Sequence, residues 1–98
     1  MNREQTPAEV QAVLDAAADL LERDGWCQNL PEDCEGRRCM RAAIHDVTHG
    51  APDLYYSALA TLRQRLGTPW LTDWNDKERR RKGEVIAALR GNEPEGRR

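Results

Sequence analysis

The sequence predicts an all-α protein: a small four-helix domain with an irregular segment, about residues 26–38, packed across it. Three observations lead there. Ala and Leu dominate the apolar residues and there is no Phe, a composition that favours helices because Ala and Leu lose little side-chain freedom in them. Apolar residues recur at helical spacing in separate blocks. Gly25, Gly50, Gly67 and Gly91 each follow such a block, where a helix stop belongs. At 98 residues the chain is one domain, with an ordered core expected over about 6–90 and polar ends at 1–5 and 91–98.

The first helix is expected over 6–24. Thr6-Pro7-Ala8-Glu9 is a start signal: Thr6 caps an N–H, Pro7 suits the first helical position and Glu9 completes a capping box. Val10, Val13, Leu14, Ala17, Leu20 and Leu21 form its apolar face. Pro31, Gly36 and a run of charges make 26–38 irregular, with a short extended piece expected at Trp26-Cys27-Gln28 and Trp26 pinning the segment down. A second helix over 38–48 carries Met40, Ala43, Ile44 and Val47 on one face. A third opens at Pro52 or Asp53 and runs to Leu66, with Leu54, Ala58, Leu59, Leu62 and Leu66 facing inward and Tyr55 and Tyr56 flanking them. Residues 68–76 read as a loop anchored by Trp70 and Trp74. The last helix takes in Val85, Ile86 and Leu89 from an unclear start, because Gly83 is a poor helix residue. The three Trp residues are expected to serve as bulky core fillers in place of Phe.

Four motifs stand in order along the chain: Trp26-Cys27-Gln28, Cys39-Met40-Arg41-Ala42-Ala43-Ile44, Trp74-Asn75-Asp76, and Glu84-Val85 running on to Leu89-Arg90. In them the chain resembles a small family of actinobacterial and actinophage proteins of unknown function. The resemblance implies a Gly25-Trp26 corner after the first helix, Cys39 opening the second, and a corner at Trp74-Asn75-Asp76. It departs at Arg81, where the family pattern has a Thr that would cap the last helix. It carries over no chemistry.

Trp26, Cys39, Trp74, Asn75 and Asp76 are read as structural anchors, with Trp74 a buried peg and Asn75-Asp76 a bend whose side chains bond nearby backbone. Cys27, Cys34, Cys39, His45 and His49 have thiolate and imidazole chemistry suited to zinc. His45 and His49, four apart, would share a helix face. The cysteine spacings match no standard zinc knuckle, so no metal and no cofactor is assigned. Cys39 at a helix start beside Arg37, Arg38 and Arg41 has the setting of an activated thiolate, but no oxyanion-forming turn adjoins it and the chain is read as non-enzymatic.

Charge is uneven. Residues 1–24 hold two basic and six acidic side chains, and residues 77–98 hold eight basic and four acidic ones. The basic run contains Arg79, Arg80, Arg81 and Lys82, a candidate phosphate-contacting patch, or else a partner for the acidic first helix. Tyr55 and Tyr56 have the amphipathic character favoured at interfaces. The expectation is a cytoplasmic accessory protein of a phage or mobile element that binds a host or phage protein stoichiometrically, through Tyr55, Tyr56 and residues 79–82. A nucleic-acid-associated regulator using the basic segment 77–82 is the alternative and a small zinc protein the second. A homodimer is allowed by the Leu-rich third helix. No apolar run approaches the roughly 18 residues that span a membrane, and the three cysteines are expected to be reduced thiols.

Overall fold

The computed structural model describes residues 5–92. The expected polar ends lie outside these residues except at Gln5, Gly91 and Asn92. Gln5 is tied down: its side-chain oxygen accepts the Ser57 hydroxyl at 3.0 Å.

Five helices follow one another: α1 (Pro7–Asp24), α2 (Met40–Val47), α3 (Pro52–Leu66), α4 (Leu71–Asp76) and α5 (Lys82–Arg90). The first three and the last match the expected helices. The fourth corrects the reading of 68–76 as a loop. Leu71–Asp76 is a six-residue turn of helix that buries Leu71 and Asn75. It is too short for periodicity to reveal, and Pro69 and Thr72 made it look like a connection. Trp70, expected to anchor that loop, is 66% exposed.

The helix ends follow from the residues. Thr6 Oγ1 accepts the Glu9 N–H at 3.1 Å, and Glu9 Oε1 accepts the Thr6 N–H at 2.9 Å, a complete capping box. At α5 only half a box forms. Glu84 Oε1 accepts the Arg81 N–H at 2.9 Å, but an arginine side chain has no acceptor to return the bond. Arg81 nonetheless occupies the cap position and Gly83 sits inside the helix, so the missing Thr does not move the helix start.

Helix α1 is the spine, packing against α2, α3 and α5. Its Leu14, Ala17, Ala18 and Leu21 meet Met40, Ala43 and Ile44 of α2, Ala58, Leu59 and Leu62 of α3, Leu71 of α4 and Val85 and Leu89 of α5 in a single buried cluster. Methionine and branched aliphatic residues fill the centre; Trp26 and Trp74 pack at its edge, so indoles do not replace Phe as core fillers. Tyr55, expected to flank α3, packs against the cluster from the side.

The two ends of the chain do pair, through Arg90. Its guanidinium reaches Asp19 at 2.7 Å and Glu22 at 3.3 Å across the α1–α5 contact. Arg65 of α3 donates to the α5 C-terminal carbonyls of Ala88 and Leu89 at 2.9 and 3.3 Å and to Gln11 Oε1 at 2.9 Å, so one cation closes three helices. The radius of gyration, 12.9 Å, is that of one folded domain of this length, about 13 Å, and residues 25–39 lie against the helices, bonded through Trp26 and Gln28 to Asn75.

Candidate interaction surface

Residues 25–39 form a strap fastened at both ends. Gly25 has φ +102 and ψ 161, a conformation open essentially to glycine alone. A Cβ there would come within 2.5 Å of Arg37 Cγ. Gly25 is thus the helix stop expected of it, and the chain leaves α1 extended. Trp26 pairs with Arg38 in a parallel bridge and Glu32 pairs with Arg38 in an antiparallel one, so the extended piece expected at Trp26-Cys27-Gln28 is reduced to a single bridge at Trp26, with Gln28 in a bend. Asp33 holds the intervening turn: its carboxylate accepts the N–H groups of Glu35 and Arg37 at 3.0 and 2.9 Å and Arg37 Nε at 2.6 Å. Burial raises the Asp33 pKa, but these donors outweigh it and the net shift is downward. Arg38 ties the strap to α1 and α2 by reaching Asp24 at 2.9 Å and Asp46. Asp24 is lowered to about 2, chiefly by the hydrogen bond from Arg23, with Arg38 adding to it.

Asn75 of α4 joins the strap to the helices. It is 1% exposed. Its Oδ1 accepts Trp26 Nε1 at 2.7 Å and the Met40 N–H of the first α2 residue at 3.0 Å; its Nδ2 donates to the Cys27 carbonyl at 3.2 Å and to Asp76 Oδ1 at 2.8 Å. Asp76 accepts the Asn29 N–H at 2.8 Å, and Gln28 Nε2 donates to the carbonyls of Asn75 and Lys77 at 3.1 and 2.9 Å. The expected polar corner exists, but it holds the distant strap more than its own turn, and Asn75, not Trp74, is the fully buried peg. Trp74 is half-buried beneath Arg80, whose guanidinium lies 3.7 Å from the ring centroid while its Nε donates to the Trp74 carbonyl at 2.9 Å.

The strap, α2, α3 and α4 together enclose an open hollow of about 280 Å³, its lining drawn from apolar Leu30, Pro31, Cys39, Ala42 and Tyr55 and polar Arg41, His45 and Asp76 among others. A second hollow, about 330 Å³, lies beside it between the end of α2 and the start of α3 and includes His49, Pro52 and Tyr56. His45 and Tyr55 line both. The rings of His45, Tyr55 and Tyr56 stack edge to face, with centroids 5.4 and 5.0 Å apart. Leu30 is 53% exposed and Tyr56 64% exposed. The tyrosines thus belong to a concave apolar face. Sequence reasoning missed Leu30 because it sits in a polar segment with no periodicity.

The other candidate residues are dispersed. Arg80 is occupied by Trp74 and, at 3.7 Å, by Glu84. Lys77, Arg79, Arg81 and Lys82 are exposed, and no ion pair among the described residues holds them. Arg79 has a left-handed φ of +71 at the turn that Arg80 N–H closes onto the Lys77 carbonyl at 3.0 Å. Of the proposed zinc set, Cys27 and Cys39 are buried, while Cys34, His45 and His49 are exposed. Among the described residues no group of three or more His, Cys, Asp or Glu is placed to hold a metal ion; Cys39 and His45 line one hollow, which neither Cys27, Cys34 nor His49 joins. Cys39 does cap α2, its Sγ accepting the Ala42 N–H at 3.4 Å. Two of the cations expected to act on it, Arg37 and Arg38, are engaged by Asp33, Asp24 and Asp46.

The molecule is thus a small all-α domain whose strap and helices frame a concave apolar face. Among the described residues no helix is long and apolar enough to cross a membrane. The chain belongs to the DUF6197 family, a family of unknown function, whose model matches residues 5–91. No curated protein and no solved structure matches it.

Proposed function

We propose that this domain is a non-enzymatic binding module that engages another protein stoichiometrically through the hollows around Tyr55. The supporting observation is the apolar concavity formed by Leu30, Pro31, Ala42, Tyr55 and Tyr56, with Leu30 and Tyr56 exposed and charged groups sharing its lining, the mixture of apolar and polar surface that interfaces carry. A phage or mobile-element source and a host or phage protein as partner extend this reading and rest on the motifs alone. Affinity capture with the wild-type chain and with a Leu30→Asp, Tyr56→Asp variant tests it. The wild type retains one dominant protein near equimolar amount and the variant, equally stable, loses it. Capture that is absent, or indifferent to both substitutions, ends the proposal.

A second reading, contact with nucleic acid, is favoured by one observation: Lys77, Arg79, Arg81 and Lys82 stand exposed, with Arg79 in a backbone conformation that costs an ordinary residue about 1–2 kcal/mol. Four phosphate contacts would give a slope of log affinity on log salt of about −3.6. Fluorescence anisotropy on a DNA duplex reads that slope, and no binding at low salt eliminates this reading.

A further inference from the structure

The strap brings two cysteines side by side. Arg38 N–H donates to the Gly25 carbonyl at 3.1 Å and Cys27 N–H donates to the Arg38 carbonyl at 3.0 Å, the two bonds of the parallel pairing between Trp26 and Arg38. One residue beyond this single bridge, on each segment, come Cys27 and Cys39. Residues in register on parallel strands send their side chains to the same face, and such strands lie about 4.8 Å apart. A disulfide joins Cα atoms about 4.4–6.8 Å apart. The pair is therefore in range for a bond without a change of fold.

The two thiols are 8% and 9% exposed. Cys27 Sγ donates to the carbonyls of Leu30 and Arg37 at 3.3 and 3.2 Å. Burial, then the charges of Asp33 and Cys39, push the Cys27 thiol up, so the two sulfurs are near enough to feel each other. Cys39 is the one with an approach, since it forms part of the wall of the 280 Å³ hollow, which admits a small oxidant. Cys34 is exposed on the turn and lines neither hollow.

We propose that Cys27 and Cys39 are a thiol pair that a peroxide converts to an intramolecular disulfide. The Cys39 thiolate attacks one oxygen of the peroxide and the O–O bond breaks, leaving a sulfenic acid on Cys39 and releasing hydroxide or alkoxide. Cys27 sulfur then attacks the Cys39 sulfur; the S–O bond breaks, and the Cys27 proton leaves with the departing oxygen as water. Two thiols are oxidised and one peroxide is reduced. The bond closes residues 27–39 into a loop and adds a covalent staple to a strap otherwise held by the Asn75 hydrogen bonds and the Arg38 ion pairs. Cys27 then has no thiol proton to give to Leu30 and Arg37. This inference does not depend on the binding role above.

The test uses the full chain with Cys34→Ser, which removes the exposed thiol, treated with hydrogen peroxide. Intact mass should show the loss of two hydrogens. A tryptic digest should hold the Cys27 and Cys39 peptides together until a reductant is added, because cleavage after Arg37 and Arg38 separates them. Linking should be faster in the folded chain than in urea, and the linked chain should unfold at higher urea. Adding Cys27→Ser should divert peroxide to sulfinic and sulfonic acids on Cys39, whereas Cys39→Ser, which keeps a capping side chain, should leave Cys27 unreacted. Higher oxides on Cys39 with Cys27 free in the Cys34→Ser chain, links only between molecules, two inert thiols, or linking no faster in the folded state would each overturn the proposal.

Discussion

A single buried amide fastens the 25–39 strap to α2 and α4. Asn75 offers two acceptor lone pairs and two donors, and all four are used, on Trp26, Met40, Cys27 and Asp76. Asn75→Ala would strand the Trp26 indole N–H and the Met40 N–H without their acceptor. Each buried unsatisfied group costs about 1–3 kcal/mol, so a loss of about 2–6 kcal/mol is expected from urea unfolding. Asn75→Asp keeps both acceptors but removes the donor to Cys27 and sets a buried carboxylate against Asp76; its loss at neutral pH should shrink in acid, where protonation removes the buried charge. At the opposite extreme is Arg79, an ordinary residue at φ +71 with an exposed side chain. Arg79→Gly should raise stability by about 1 kcal/mol, since glycine takes that conformation freely.

Among the elements, α1 is held by burial, whereas the strap combines the Asn75 hydrogen bonds with ion pairs through Arg38, and acid tests the ion pairs. Asp24 sits at about 2 against an ordinary 3.8. A carboxylate depressed in the folded state contributes its full stabilisation above the unfolded pKa and loses it as pH falls through the folded one. Asp33 shifts in the same direction. The urea midpoint should therefore stay level from neutral pH down to about 4 and then fall between about 4 and 2. Asp24→Asn should flatten part of that fall. The elements also differ in how far the sequence disclosed them. α1 was readable end to end because an 18-residue amphipathic stripe, a capping box and a glycine agree. α4 was not, because six residues carry too little periodicity. The concave face was half readable: Tyr55 and Tyr56 announced themselves by type, whereas Leu30 gained its meaning only from the strap's path. The basic run misled at Arg80, since nothing in a string of cations says that one of them will lie on an indole.

Across the whole molecule, the opposed charges of the two ends are reconciled by a few contacts rather than a broad field. Arg90 meets Asp19 and Glu22 at the surface, where such pairs contribute about 0–1 kcal/mol. Arg65, half-buried and bonded to α1 and α5, matters more to how the helices sit together. The Asn75 junction carries a consequence for how the protein is born. Trp26 and the amide that fastens it lie 49 positions apart. At about 5–20 residues per second, a ribosome makes that stretch in roughly 2.5–10 s. Through that interval the nascent first half has an open flap with an unclaimed indole, and chains arrested short of residue 75 should be cut there by protease while completed ones resist. Maturation is thus gated by translation: the flap waits for a late-arriving clasp.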